Sequence, residues 1–275
     1  VSSTAGDGIG LPERPRGIAL IRKGFRIQGR VIHALAMREL STRFGHSQLG
    51  FVWLVLEPLM LASAIGLIHY VWHPDGKGDI PVFLFYIVGY APYFAFRAII
   101  NRSTSAFEAN MTLMYHRQVR LTDVIIARNL LEAGAVLAVL VLVVGGASWL
   151  VDMVPADIPL LALGLLLIFL FANGLSMLAA AASARWEVVD RLVHPLTYLS
   201  LPISGAFIPL ERLPPSWREV FLWNPQVSMH EMVREGMFGE LTATYFDTQY
   251  AITCVVILNL LGLAALRAVR PKLEF

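Results

Sequence analysis

The amino-acid sequence predicts an all-α membrane protein: six transmembrane helices, an amphipathic interface helix at the N-terminus, and re-entrant or short external helices between spans five and six. Three observations predict it. The 275 residues are 56% hydrophobic and only 15% charged, whereas a soluble domain carries about 25% charged residues. Apolar runs recur along the whole chain at about the 20 residues a helix needs to cross a hydrocarbon core of about 30 Å. The basic residues gather on one side of the resulting zigzag, as the positive-inside rule requires.

Residues 1–16 are rich in Gly, Ser and Pro and are expected to be disordered. The apolar run at residues 17–21 is too short for a secretory signal peptide. Residues 17–275 then read as a single membrane domain. A basic, partly amphipathic helix over about 26–46 lies along the membrane surface. The first span, about 49–72, carries one charge, Glu57. The second, about 81–97, is charge-free over residues 80–96. The third, about 124–151, has its apolar core at 133–151, and the fourth, about 158–182, has no charge. The fifth, about 192–208, contains Pro195 and Pro202, which demand a kink or a break. The sixth covers about 249–266.

Six spans put both termini on one side. That side holds 18 of the 22 basic residues; only Lys77, Arg212, Arg218 and Arg234 fall on the other. Both termini are therefore expected in the cytoplasm.

Two connections stand out. Residues 207–247 lie outside yet are rich in Phe, Trp and Met, and are cut by Pro209, Pro214, Pro215 and Pro225. Two short helices are expected there, over 216–223 with Ser216 as N-cap and over 226–238. They re-enter the membrane or lie on its surface, with Trp217, Phe221 and Trp223 at headgroup level. The cytoplasmic link 101–123 shows Met111, Leu113, Met114 and Tyr115 among basic residues. It reads as a dock for another protein, or as a helix resting on lipid headgroups.

Catalytic signatures are missing. None of the lysines, Lys23, Lys77 and Lys272, stands in a P-loop, and no H-E-x-x-H, G-x-S-x-G or C-x-x-C occurs. Cys254 is the only cysteine, so no intrachain disulfide forms. His69 and His73 have i, i+4 spacing but no evident third ligand, and no metal site is expected. Glu57 and Glu132 lie in or near spans; Arg128, four residues before Glu132, offers an intrahelical ion pair. Arg38 and Arg43, at the cytoplasmic mouth of span one, suit either a passing anionic group or anionic headgroups.

Three stretches together resemble one family. Arg38, Arg43, Phe44, Ser47, Leu49, Gly50, Trp53 and Pro58 are similar to the opening pattern of ABC-2-type polysaccharide export permeases. Tyr115, Arg117, Gln118, Val119, Arg120, Asp123, Ala127, Arg128 and Glu132 resemble the cytoplasmic link of the capsule branch found in Gram-negative bacteria, which often has Pro where Leu121 stands. Pro202, Ser204, Gly205, Pro209, Leu213, Pro214, Asn224, Pro225, Glu231, Arg234 and Gly236 resemble its fifth span and re-entrant helices. The resemblance covers about residues 25–270.

It implies a homodimeric channel in the bacterial inner membrane for a lipid-linked acidic polysaccharide. Two separate cytoplasmic ATPase subunits would bind the ATP and Mg; this chain would hold no cofactor. Arg38, Arg43, Phe44, Trp53, Glu57, Tyr90 and Tyr93 become candidates for substrate admission and channel lining. Met111, Leu113, Met114, Tyr115, Arg117 and Arg120 become candidates for ATPase coupling. Phe207, Pro209, Trp217, Phe221, Trp223, Asn224 and Pro225 become candidates for the external gate. A periplasmic adaptor and membrane lipids are further expected partners, and nucleic acid is not. The rival readings are a permease for O-antigen or teichoic acid, a membrane-embedded transferase, and a transporter that needs no ATPase.

Overall fold

The computed structural model describes residues 18–44, 48–72, 80–110 and 119–269. Among these residues lie nine α-helices: α1 (Ile18–Phe44), α2 (Gln48–Trp72), α3 (Val82–Ser103), α4 (Leu121–Leu150), α5 (Ile158–Ser183), α6 (Val188–Leu199), α7 (Pro215–Leu222), α8 (Pro225–Phe238) and α9 (Thr248–Val269). Five of them, α2, α3, α4, α5 and α9, are long and apolar enough to cross a membrane. Residues 1–16, with their expected disorder, lie outside the described residues.

The expected fifth span is not one continuous helix. α6 has 12 residues, about 18 Å at the helical rise of about 1.5 Å, short of a hydrocarbon core. Pro195 is accommodated inside it. The chain then turns through residues 200–208, where Gly205 takes a left-handed φ of 81°. A Cβ there would stand 3.1 Å from the Val227 Cα, so glycine serves both the turn and the close approach.

α3 is the central post. It packs against α2, α4, α5, α6 and α8, and nearly every residue from Val82 to Phe96 is buried. Val136 and Leu140 of α4, Ile168 and Ala172 of α5, and Met229, Met232 and Val233 of α8 share its core. α2 is peripheral. Among its described side chains Pro58, Ala62 and Gly66 are buried, while Leu67, Ile68 and Val71 are exposed, as on a lipid-facing helix. α1 docks its second half on α4 through Leu35 and Ala36 against Val124 and Ala127. The Gln28 amide donates to Asp123 at 2.9 Å, and Glu39 pairs with Arg128 at 3.0 Å.

That last pair corrects the expected Arg128–Glu132 bridge. Glu132 instead meets Arg102 of α3 at 3.0 Å, while Arg128 turns to α1 and donates to the Arg102 carbonyl. Both side chains find partners on other helices.

α5, α8 and α9 are joined closely by small residues. A Cβ on Gly236 would lie 2.4 Å from the Leu161 nitrogen, and one on Gly262 would lie 2.9 Å from the Gly174 carbonyl oxygen. The Asp157 N–H donates to the Gly236 carbonyl at 2.8 Å, tying the end of α8 to the start of α5. A polar ladder crosses the apolar interior. Asn129 of α4 donates to Asn173 at 2.8 Å and to Ser176 at 2.7 Å; Asn173 donates to Asn259 of α9 at 2.9 Å. Such bonds between spans contribute about 0.6–2 kcal/mol each.

α7 starts a residue before its expected position. Pro214 is the N-cap and Pro215 the first helical residue, so Ser216 sits inside the helix rather than capping it. Proline's fixed φ and missing N–H suit that first position. Asn224 caps α8, its side chain accepting from the Gln226 N–H at 3.1 Å.

Candidate translocation path

A line of aromatic and polar side chains runs down one face of α3. Tyr86, Tyr90, Phe94, Arg97 and Asn101 follow i, i+4, i+8, i+11, i+15 spacing, which keeps them on one side of a helix. From Tyr86 to Asn101 the rise is about 22 Å, most of a hydrocarbon core. At the Tyr86 end His69 of α2 stacks on Tyr86 at 3.7 Å between ring centroids. Phe207, from the turn after α6, stacks on Tyr90 at 5.4 Å with an 11° interplanar angle. Toward the other end the Arg97 guanidinium lies over Tyr198 of α6 at 4.5 Å and over Phe94 at 5.5 Å. The Thr197 hydroxyl donates to Asn101 Oδ1 at 3.0 Å. Tyr93 fastens α6 from beside the line, donating to the Thr197 carbonyl and meeting the Ser200 hydroxyl at 2.9 Å. α6 and the turn after it therefore cover this face of α3.

α8 supports the half that carries Tyr86 and Tyr90. All but Pro225 and Glu235 of its 14 residues are buried. Ring pairs Phe238–Phe85 at 5.7 Å and His230–Tyr93 at 6.5 Å set it antiparallel to α3 over two turns. Its position is therefore within the helix bundle. Arg234 and Glu231, both fully buried, pair at 2.7 Å. Arg234 also donates to the Ala206 carbonyl at 2.6 Å and lies over the Phe85 ring at 5.2 Å. Glu231 accepts from the Leu210 N–H at 3.5 Å and the Tyr245 N–H at 3.4 Å. Four segments thus meet at one ion pair. Burial works against both charges, raising the carboxyl and lowering the guanidinium, while each partner opposes the shift of the other. Burial also pushes the His230 imidazole down to about 3, leaving it neutral, with Nδ1 against the Gln226 carbonyl at 2.9 Å.

The remaining expected site residues divide. Arg38 donates to Asn110 Oδ1 at 2.9 Å, linking α1 to the segment after α3. Arg43 and Phe44 end α1, and their side chains lie outside the described residues. Trp53 is half exposed on α2, and Glu57 is half-buried just before the buried Pro58, so neither joins the α3 line. Met111, Leu113, Met114, Tyr115 and Arg117 lie outside the described residues. Arg120 is exposed and caps α4; its N–H donates to Asp123 at 3.3 Å. Leu121 is the first residue of α4, where the proline common in the capsule branch also fits. Pro209 is buried and opens the Leu210–Arg212 turn. Asn224 ties α8 inward by donating to the Ile203 carbonyl at 2.9 Å, and Pro225 is the first residue of α8. Trp217 and Trp223 are exposed and Phe221 is half-buried.

Residues 30–238 match the ABC-2 type transporter family. The chain belongs to the ABC-2 type transporter membrane family. Among its relatives, this ABC-2 protein is 37% identical over 241 residues to the capsule polysaccharide export inner-membrane protein CtrC of Neisseria meningitidis, covering 86% of this chain and 90% of that one. It is 34% identical over 260 residues to the capsule polysaccharide export inner-membrane protein BexB of Haemophilus influenzae, covering 92% and 96%. It is 32% identical over 254 residues to the polysialic acid transport protein KpsM of Escherichia coli, covering 90% and 96%.

Arg97, Asn101 and His69 join the line without being among the residues that the sequence singles out for it. The signal was present: continuing the Tyr86–Tyr90 spacing along α3 reaches Arg97 and Asn101 directly. The His69 spacing to His73 suggests at most half of a metal pair and gives no sign of its stacking on Tyr86. The Asn129–Asn173–Asn259 ladder had no local signal, because its members come from three separate spans.

Proposed function

We propose that this chain is the membrane subunit of an ATP-driven exporter that moves a lipid-linked, acidic capsular polysaccharide across the bacterial inner membrane. Two copies form the channel. Two cytoplasmic ATPase subunits supply the motion, binding ATP and Mg, and a periplasmic adaptor receives the glycan. Both termini face the cytoplasm. The observation that carries this reading is the near full-length similarity to three permeases, two named for capsule polysaccharide export and one for polysialic acid transport.

The geometry supports it. A long hydrated glycan needs rings to slide over and hydroxyls to exchange hydrogen bonds with, and few fixed charges that would trap it. The α3 line, with Tyr86, Tyr90, Phe94 and one cation, has that chemistry; its rings are buried under α6 and the turn after it, so a glycan reaches them only when that segment draws aside. ATP would act by favouring one arrangement of the ATPases, and the docked cytoplasmic elements of this chain would follow.

Deleting the gene in the source bacterium is expected to strand lipid-linked glycan in the cytoplasm. A tagged chain purified from the same membranes is expected to bring down a P-loop ATPase. Normal surface glycan in the deletion strain would overturn the proposal.

A further inference from the structure

Arg97 is the charged member of the α3 line, six residues before the end of the helix, about 9 Å inside it at the helical rise. Among the described residues no carboxylate pairs with it. Its partners are the rings of Tyr198 and Phe94. A cation within or near a span that lacks an acid partner is rare and marks a pathway. Stacking engages the guanidinium through its flat face and leaves its five N–H donors at the edge. The side chain is only partly buried, so that edge is reachable, and Tyr198 beside it is 58% exposed. One turn further on, Asn101 has its Oδ1 engaged by Thr197. Its Nδ2 donates to no described residue.

We propose that Arg97 and Asn101, backed by the Tyr198 ring, form a subsite at the inner end of the path for the carboxylate of an acidic sugar residue. The guanidinium takes the carboxylate and the Asn101 amide takes a neighbouring oxygen of the same sugar. This rests on the proposed export function and gives it a selectivity element. Lipid phosphate is the competing ligand. The glycan is favoured because the two residues continue the Tyr86–Tyr90–Phe94 line under α6.

The test uses the full chain in zwitterionic nanodiscs, titrated with an oligomer of sialic acid and with a neutral glucan of equal length. The wild type is expected to prefer the acidic oligomer. Arg97→Gln is expected to weaken acidic binding by about tenfold or more, the scale of a lost charge-assisted contact, and to leave neutral binding unchanged. Arg97→Lys is expected to recover part of the loss. Unchanged acidic binding in Arg97→Gln overturns the subsite and leaves the export reading standing. Binding of neither glycan by the wild type overturns both. An acidic preference that vanishes when anionic lipid is added, in wild type but not in Arg97→Gln, assigns the guanidinium to lipid phosphate and overturns the subsite.

Discussion

Among the described residues, Arg234 is the largest fully buried side chain. It pairs with Glu231, holds the Ala206 carbonyl and covers Phe85. A buried pair adds little net stability over apolar packing, but removing one partner strands the other charge at a cost of about 3–5 kcal/mol. Arg234→Gln and Glu231→Gln are each expected to lower the melting temperature in detergent sharply. The double variant should lose less than the sum of the two, because neither charge is left alone. An Arg234→Gln protein that melts with the wild type would show that the pair does not hold the turn. Both residues were visible in the sequence as members of a re-entrant motif. Their partnership was not, since nothing local indicates that a segment assigned to the outside is buried in the bundle.

At the scale of elements, hydropathy was sufficient to locate α2, α3, α4, α5 and α9, because lipid selects on composition over a helix length. It was insufficient for the fifth segment. There the competing demand is backbone geometry, and Pro202 and Gly205 turn the chain after α6. The failed Arg128–Glu132 bridge has a similar cause. Helical spacing permitted it, but Glu39 and Arg102 arrive from other elements. Close packing between elements gives a direct test. Gly236→Ala would push a Cβ to 2.4 Å from the Leu161 backbone nitrogen, which has no rotamer by which to yield. Gly134 has nothing within 4 Å of its would-be Cβ. Gly236→Ala is therefore expected to destabilise the fold. Gly134→Ala is expected to be neutral or to stabilise it by about 0.5–1 kcal/mol from helix propensity. Thermal melts of the two variants side by side decide it; equal melting temperatures would refute the α5–α8 contact.

For the whole molecule, the proposed mechanism needs force to enter at the cytoplasmic face. Arg120 is exposed at the first turn of α4, and α4 holds α1 through Asp123 and Arg128. Arg117→Glu with Arg120→Glu is expected to abolish ATP-dependent export while membrane insertion and yield stay normal. Export at the wild-type rate by this double variant would remove those arginines from the coupling route. The asparagine ladder bears on what happens to such a push. Sliding α5 one turn along α4 would strip the Asn129 amide of both its acceptors, and sliding it along α9 would part the Asn173 amide from Asn259, in hydrocarbon where neither finds water. Those three spans consequently travel as a single plate. Any stroke delivered at the inner leaflet should emerge at the outer leaflet undiminished, leaving relative displacement to α6 and the irregular backbone that follows it.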